Sequence, residues 1–111
     1  MASVVIEPAP RLDRRQLERA TAVGPGNMTS DRALEDMTRE VGLLPLVVED
    51  WTSELELTLR LSLRELVARE PELRTGEGDD VFEHEVSKKA DLLEGVRAGL
   101  LRRTLVVAAA P

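Results

Sequence analysis

From Glu54 to Arg64 the chain alternates without a break, with Leu55, Leu57, Leu59, Leu61 and Leu63 on one parity and Glu54, Glu56, Thr58, Arg60, Ser62 and Arg64 on the other. A period of two is the pattern of a half-buried strand. The residue types oppose it: every apolar position is Leu, with no Val, Ile or aromatic residue, and Leu, Glu and Arg are strong helix formers. A second periodicity runs through the same residues. Leu44, Val48, Trp51, Leu55, Leu59, Leu63 and Leu66 follow one another at steps of three and four, the stripe of an amphipathic helix. This spacing predicts one long central helix over about 46–70, ending before Pro71 because a residue that precedes proline avoids the helical region. Leu46, Leu57 and Leu61 then make a second stripe on the opposite face, and a helix apolar on both faces is buried on both.

A chain of 111 residues is one domain by length and buries only about two-thirds of its unfolded surface. The first and last helices can cover one face of the central helix, which leaves the other for a second subunit. The expected architecture is therefore all-α, with three to four helices and a central helix buried on both faces by oligomerisation. In one alternative, the central helix is sandwiched inside its own monomer. The other is an α+β domain with a hairpin at 44–64, its strands at 44–49 and 54–64, packed by helices at 30–41 and 80–98.

The flanking segments divide into an N-terminal arm and short helix, residues 1–27, and a helical core domain with an apolar tail, residues 28–111. Ser3-Val4-Val5-Ile6 reads as a short strand isolated by Pro8 and Pro10, a mobile arm or an edge strand. Asp13 and Gln16 form a capping box with Leu12 and Leu17 at staple spacing, so a helix over about 14–22 is expected, ended by Gly24-Pro25-Gly26. Thr29 or Ser30 caps the next helix, whose apolar positions are Ala33, Leu34, Met37 and Val41 and whose stop is Gly42. Residues 71–79 read as an exposed loop rich in turn residues. Asp79 or Asp80 then caps a helix with core positions Phe82, Val86, Ala90, Leu93, Val96 and Leu100. Gly95 and Gly99 interrupt it, each at a cost of about 1 kcal/mol against alanine, so either another backbone approaches there or the helix ends near 98. The tail from Thr104 to Ala110 begins strand-like and is expected to pair with the Ser3–Ile6 arm or with a partner's edge.

Little in the sequence points to chemistry. The absence of cysteine excludes disulfides, zinc ribbons, iron–sulfur clusters and thiol catalysis. Trp51 and Phe82 are the two aromatic residues, too few for a base-stacking platform. His84, the one histidine, follows Asp80 by one helical turn and lies between Glu83 and Glu85, but it belongs to no metal-ligand pattern and reads as solvated. Glu77-Gly78-Asp79-Asp80 lacks the frame of a calcium loop and reads as a loop and cap. Ser30, Ser53, Ser62 and Ser87 lack a nucleophile-elbow frame, and Gly24-Pro25-Gly26 lacks the Gly-Lys-Ser/Thr of a phosphate loop. No catalytic residue, cofactor, metal or small-molecule substrate is expected.

The net charge of −6 arises from residues 28–78, which carry twelve acidic and six basic side chains. No zone offers the basic face that duplex binding requires, so a basic or Arg-bearing protein is a better match than nucleic acid. Thirteen of the fifteen basic residues are Arg, which suits bidentate pairing with carboxylates. No apolar run is long enough for a membrane span, and Met1-Ala-Ser-Val-Val-Ile-Glu lacks the basic start of a signal peptide. A cytoplasmic protein is expected, cytosolic or nuclear.

A short helix, a tight loop, a central helix of about 25 residues, a second loop and a third helix together resemble the histone fold. Arg74-Thr75 followed by Asp80-Val81 is similar to the junction before the third helix of that family. The resemblance spans residues 30–95 and implies an acidic dimerising subunit of a larger assembly. It departs from the family in the two glycines of the loop and in the length of the third helix.

Two functions follow as expectations. The first is a non-enzymatic helical protein working by protein–protein association, as a homodimer or as a small subunit or adaptor. Its interface residues are Trp51, Leu57, Leu61, Leu46, Gly95 and Gly99, with aromatic and apolar anchors as hot spots. The second keeps the strand and gives an α+β ring-forming structural or assembly protein, or a ligand-binding module.

Overall fold

The computed structural model describes residues 1–25 and 32–111. Its centre is an antiparallel sheet of three strands, β1 (Ala2–Pro8), β2 (Leu44–Asp50) and β3 (Leu101–Ala109), in the order β1-β3-β2. Among the described residues the helices are α1 (Arg14–Val23), α2 (Leu34–Glu40), α3 (Thr52–Ala68), α4 (Glu70–Glu77) and α5 (Asp79–Arg97). The fold is α+β, which overturns the all-α expectation and the histone-like arrangement with it.

The error lies at one junction. Residues 44–50 belong to a strand, so the helix expected from about 46 begins only at Thr52. Val47 and Val48 carry the β preference, and Pro45 sits on an edge strand, where a missing N–H disturbs least. The register shifts between Pro45 and Val47, a local irregularity in the pairing with β3. Asp50 stops the strand and opens the helix, its Oδ1 accepting from the Thr52 backbone N–H at 2.9 Å and from the Thr52 hydroxyl. From Thr52 the helical stripe is real: Leu55 and Leu59 are buried and Leu63 packs against the same cluster. The second half of the expected hairpin, 54–64, is therefore helix.

Residues 71–79 are also corrected, since most of them form α4. Pro71 lies in its first turn, where a missing N–H removes no helical bond. Arg74 ties this helix to α5, meeting Glu70 at 2.9 Å, Asp79 at 3.0 Å and Glu83 at 3.3 Å, with its guanidinium over the Phe82 ring.

Other local readings match the structure closely. The Asp13–Gln16 capping box is formed in both directions, and α1 spans Arg14–Val23. The tail pairs with the N-terminal arm in a continuous register from Ala2↔Val107 to Pro8↔Leu101. Gly42, with φ of 86°, follows α2 and donates to the Arg39 carbonyl. Thr29 and Ser30 lie outside the described residues.

The two faces of the sheet differ. Ile6 and Leu101 belong to a face packed by α1, α3 and α5, where Ala20, Leu55, Leu59, Leu92, Leu93 and Val96 complete an aliphatic core. The opposite face carries the cross-strand neighbours Glu7 and Arg102, with Thr104 and Val106, and is met by α2. The radius of gyration is 16.3 Å, against about 13 Å for a compact domain of this length. Helices α3 and α5 account for much of this, being long relative to the small sheet.

Candidate functional site

The polar features converge at one end of the sheet, where β1 runs out and β3 begins. Glu7 is the most deeply buried acid among the described residues, 6% exposed. Strand alternation puts it on the same face as Arg102, its direct partner across the β1/β3 ladder. Glu7 Oε2 accepts from the backbone N–H of Leu34, at the start of α2, at 3.2 Å. Glu7 Oε1 lies 3.6 Å from Arg102 Nε, and both atoms are buried without a hydrogen bond. The pair is thus held by charge and by the strand register.

Beside it the chain turns through Ala9-Pro10-Arg11-Leu12 into α1. Arg11 sits at φ 65°, the one non-glycine residue in the left-handed region among those described. That conformation costs about 1 kcal/mol and has to be held by its surroundings. The Asp13 capping box fixes one side of this turn, and the Ala9 N–H donating to the Leu100 carbonyl at 2.9 Å fixes the other. The result is a hollow of about 210 Å³ walled by residues 8–12, Leu17, Ala33 and Arg102. A more open, polar depression of about 640 Å³ shares Pro10 and Ala33 with it and reaches Arg32, Asp36, Arg39 and Glu40.

The residues singled out from sequence lie elsewhere. Trp51 is half-buried, its ring facing the Arg103 guanidinium, its indole N–H donating to Glu49 at 2.9 Å and its backbone N–H to the Arg103 carbonyl at 2.8 Å. Leu57 and Leu61 are half-exposed on the outer side of α3, and Leu46 is exposed on β2. Gly95 is buried in the chain's own core, where an added Cβ would meet Leu101 Cδ1 and Val23 Cγ2, each at 2.7 Å. Gly99 ends α5 at φ 73°; its N–H donates to the Val96 carbonyl and that of Leu100 to the Gly95 carbonyl. Those two bonds are a Schellman cap. The structure does not gather these six into one patch.

His84 lies on the surface in a shallow depression of about 410 Å³ with Ser87, Lys88, Asp91 and Ala22–Gly24. No group of three or more metal-ligating side chains converges among the described residues. No described helix is long and apolar enough to cross a membrane.

The Glu7–Arg102 site was missed in the sequence because its halves are 95 positions apart. The available signal was the expected pairing of the tail with the arm, which in antiparallel register brings a charge at the end of one strand against a charge at the start of the other.

No protein-family model matches the sequence. No curated protein matches it. Among solved structures the fold recurs. A protein from Galdieria sulphuraria designated a sarcosine dimethylglycine methyltransferase superposes on 97% of this chain with a TM-score of 0.81 at 17% sequence identity. At that identity the likeness is one of fold. This chain spans 40% of that protein's length.

These findings correct the expected function. A non-enzymatic association protein was inferred from an all-α chain with one central helix over about 46–70, whereas residues 44–50 are strand and the α+β fold recurs inside a protein designated an enzyme. The expectation of a non-enzyme has no support in the comparisons.

Proposed function

We propose that this chain is one part of a methyltransferase-like enzyme, supplying an edge of its sheet, helical cover and part of the acceptor site. The observation that carries this reading is the asymmetry of the match: nearly all of this chain corresponds to less than half of the other protein. The two edges of the sheet agree with it. Edge β2 carries Pro45, an irregular register and the charges of Glu49 and Asp50, devices that discourage further pairing. Edge β1 is regular, with Val4, Val5 and Ile6 in succession and no charge before Glu7, so it suits extension by another strand.

A methyltransferase requires a methyl donor. Sheets with helices on both faces hold nucleotide-bearing cofactors at a glycine-rich turn from strand to helix, where the backbone approaches the ligand. In this chain the turn after β1 is Ala9-Pro10-Arg11-Leu12 and the one after β2 is Trp51, neither with a glycine. The residues present do not fit such a donor, which is assigned to polypeptide beyond them. The acceptor proposed is a small N-methylated amino acid of the sarcosine or dimethylglycine kind.

Titration calorimetry with S-adenosylmethionine and saturation-transfer NMR with dimethylglycine test this on the full chain. The expected result is millimolar contact with dimethylglycine, no heat from S-adenosylmethionine and no methyl transfer by the chain alone. Tight binding of S-adenosylmethionine would overturn the division of labour. Absence of any contact with sarcosine or dimethylglycine would overturn the acceptor.

A further inference from the structure

We propose that the hollow at the end of the sheet takes a small carboxylate, and that the Arg102 guanidinium holds it. The inference deepens the methyltransferase reading and rests on it for the identity of the acceptor.

Arg102 carries the argument. A guanidinium offers five N–H donors in a planar fork, matched in geometry to a carboxylate. Its side chain is only 28% exposed, and its buried Nε has no hydrogen-bond partner. Glu7 approaches through Nε at 3.6 Å, and its other oxygen is engaged by the Leu34 N–H. Glu7 thus meets the fork at Nε, Asp50 lies close enough to feel its charge, and Arg102 lines the hollow.

The walls select the ligand's size and remaining chemistry. Apart from Arg11 and Arg102 they are proline, alanine and leucine, whose side chains suit methyl groups. A volume of about 210 Å³ accommodates a small amino acid. Arg11, in its left-handed backbone, is a second basic residue in the wall. A carboxylate head on a small methylated body fits this space.

The experiment is a two-dimensional amide NMR titration of the full chain with acetate, dimethylglycine and dimethylglycine methyl ester. Acetate and dimethylglycine are expected to move the amides of Ala9, Arg11, Leu12, Ala33 and Arg102, and the ester to bind about tenfold more weakly. The double variant Glu7→Leu/Arg102→Met removes both charges, so no lone buried charge remains to unfold it. It should keep its spectrum and lose about tenfold or more in acetate affinity, with Arg102→Lys between it and the parent. Equal binding of acid and ester, unchanged acetate affinity in the double variant, or shifts centred on another surface would overturn the inference. Acetate bound at Arg102 without dimethylglycine would leave the inference standing and remove the acceptor proposed above; dimethylglycine bound away from Arg102 would do the reverse.

Discussion

The two faces of the small sheet solve different problems with the same strands. Under α1, α3 and α5 the core cluster is aliphatic. Across the sheet, α2 covers Glu7, Arg102 and Thr104, where charge is buried and some hydrogen-bonding capacity goes unused. Dry packing adds stability through area removed from water, whereas a buried ion pair adds little net stability. The difference assigns most of the stability to one face and makes the other the place for the proposed site.

The largest effect that would break this comparison is on the dry face. Leu101 is 2% exposed in the middle strand, so Leu101→Ala removes its contacts with α5 and α1 and is expected to cost about 3 kcal/mol. Leu57→Ala, on the outer side of α3 at 50% exposure, is expected to stay within about 0.5 kcal/mol. Urea denaturation of both variants measures the contrast, and equal costs would mean that the packing drawn here is wrong.

On the polar face the informative quantity is a coupling. Glu7→Leu alone strands the Arg102 charge and leaves the Leu34 N–H without its acceptor, for an expected loss of about 3 kcal/mol. Adding Arg102→Met should recover most of it, because a buried ion pair replaced by apolar groups of similar volume is close to neutral. A double-mutant cycle reads this directly. If the double variant is as unstable as the single, the pair is structural and the contrast between the faces weakens.

A smaller effect tests how tightly the dry face is packed. Alanine is normally preferred to glycine in a helix by about 1 kcal/mol. At Gly95 the added Cβ would press on Leu101 and Val23 at 2.7 Å, and overpacking of this kind costs about 1–3 kcal/mol. Gly95→Ala is therefore expected to lower the melting temperature by a few degrees, and a rise would show that the core yields.

How much of this was legible depends on whether the deciding interaction was local. The Asp13–Gln16 box, the ends of α1, the C-terminal end of α5 and the pairing of the tail with the arm follow from neighbouring residues or from strand-like runs, and the structure contains them; the Asp79 or Asp80 cap does not form, since α5 is capped at Gly78. The junction at 44–51 was not legible, because Leu44 and Val48 fit the helical stripe by spacing while tertiary pairing with β3 decides their state. Alternating leucines on a helix fall on opposite sides, so Leu55 and Leu59 enter the core while Leu57 and Leu61 stay half-exposed. Helix makes up 58% of the structure, so helix content would not have separated an all-α chain from this one. The candidate site was less accessible still, since Glu7 and Arg102 acquire their meaning only when β1 and β3 are adjacent.

The smallest expected effect concerns the strand-to-helix junction that the sequence concealed. The Asp50 carboxyl is held below its ordinary pKa, first by the hydrogen bond from the Thr52 hydroxyl and then by that from the Thr52 backbone N–H. A carboxyl depressed in the folded state stabilises that state fully above its unfolded value of about 3.9, and the contribution fades as pH falls through the lower folded value. Asp50 is exposed, so screening by solvent keeps the contribution small. Asp50→Ala is expected to lower stability by about 0.5 kcal/mol at neutral pH, a difference that should hold down to about pH 4 and shrink below it. Melting curves of parent and variant at pH 7, 5, 4 and 3 follow that difference directly. A gap that stays constant or widens on acidification would show that the Asp50 charge does not start α3, and that pairing with β3 alone sets the boundary.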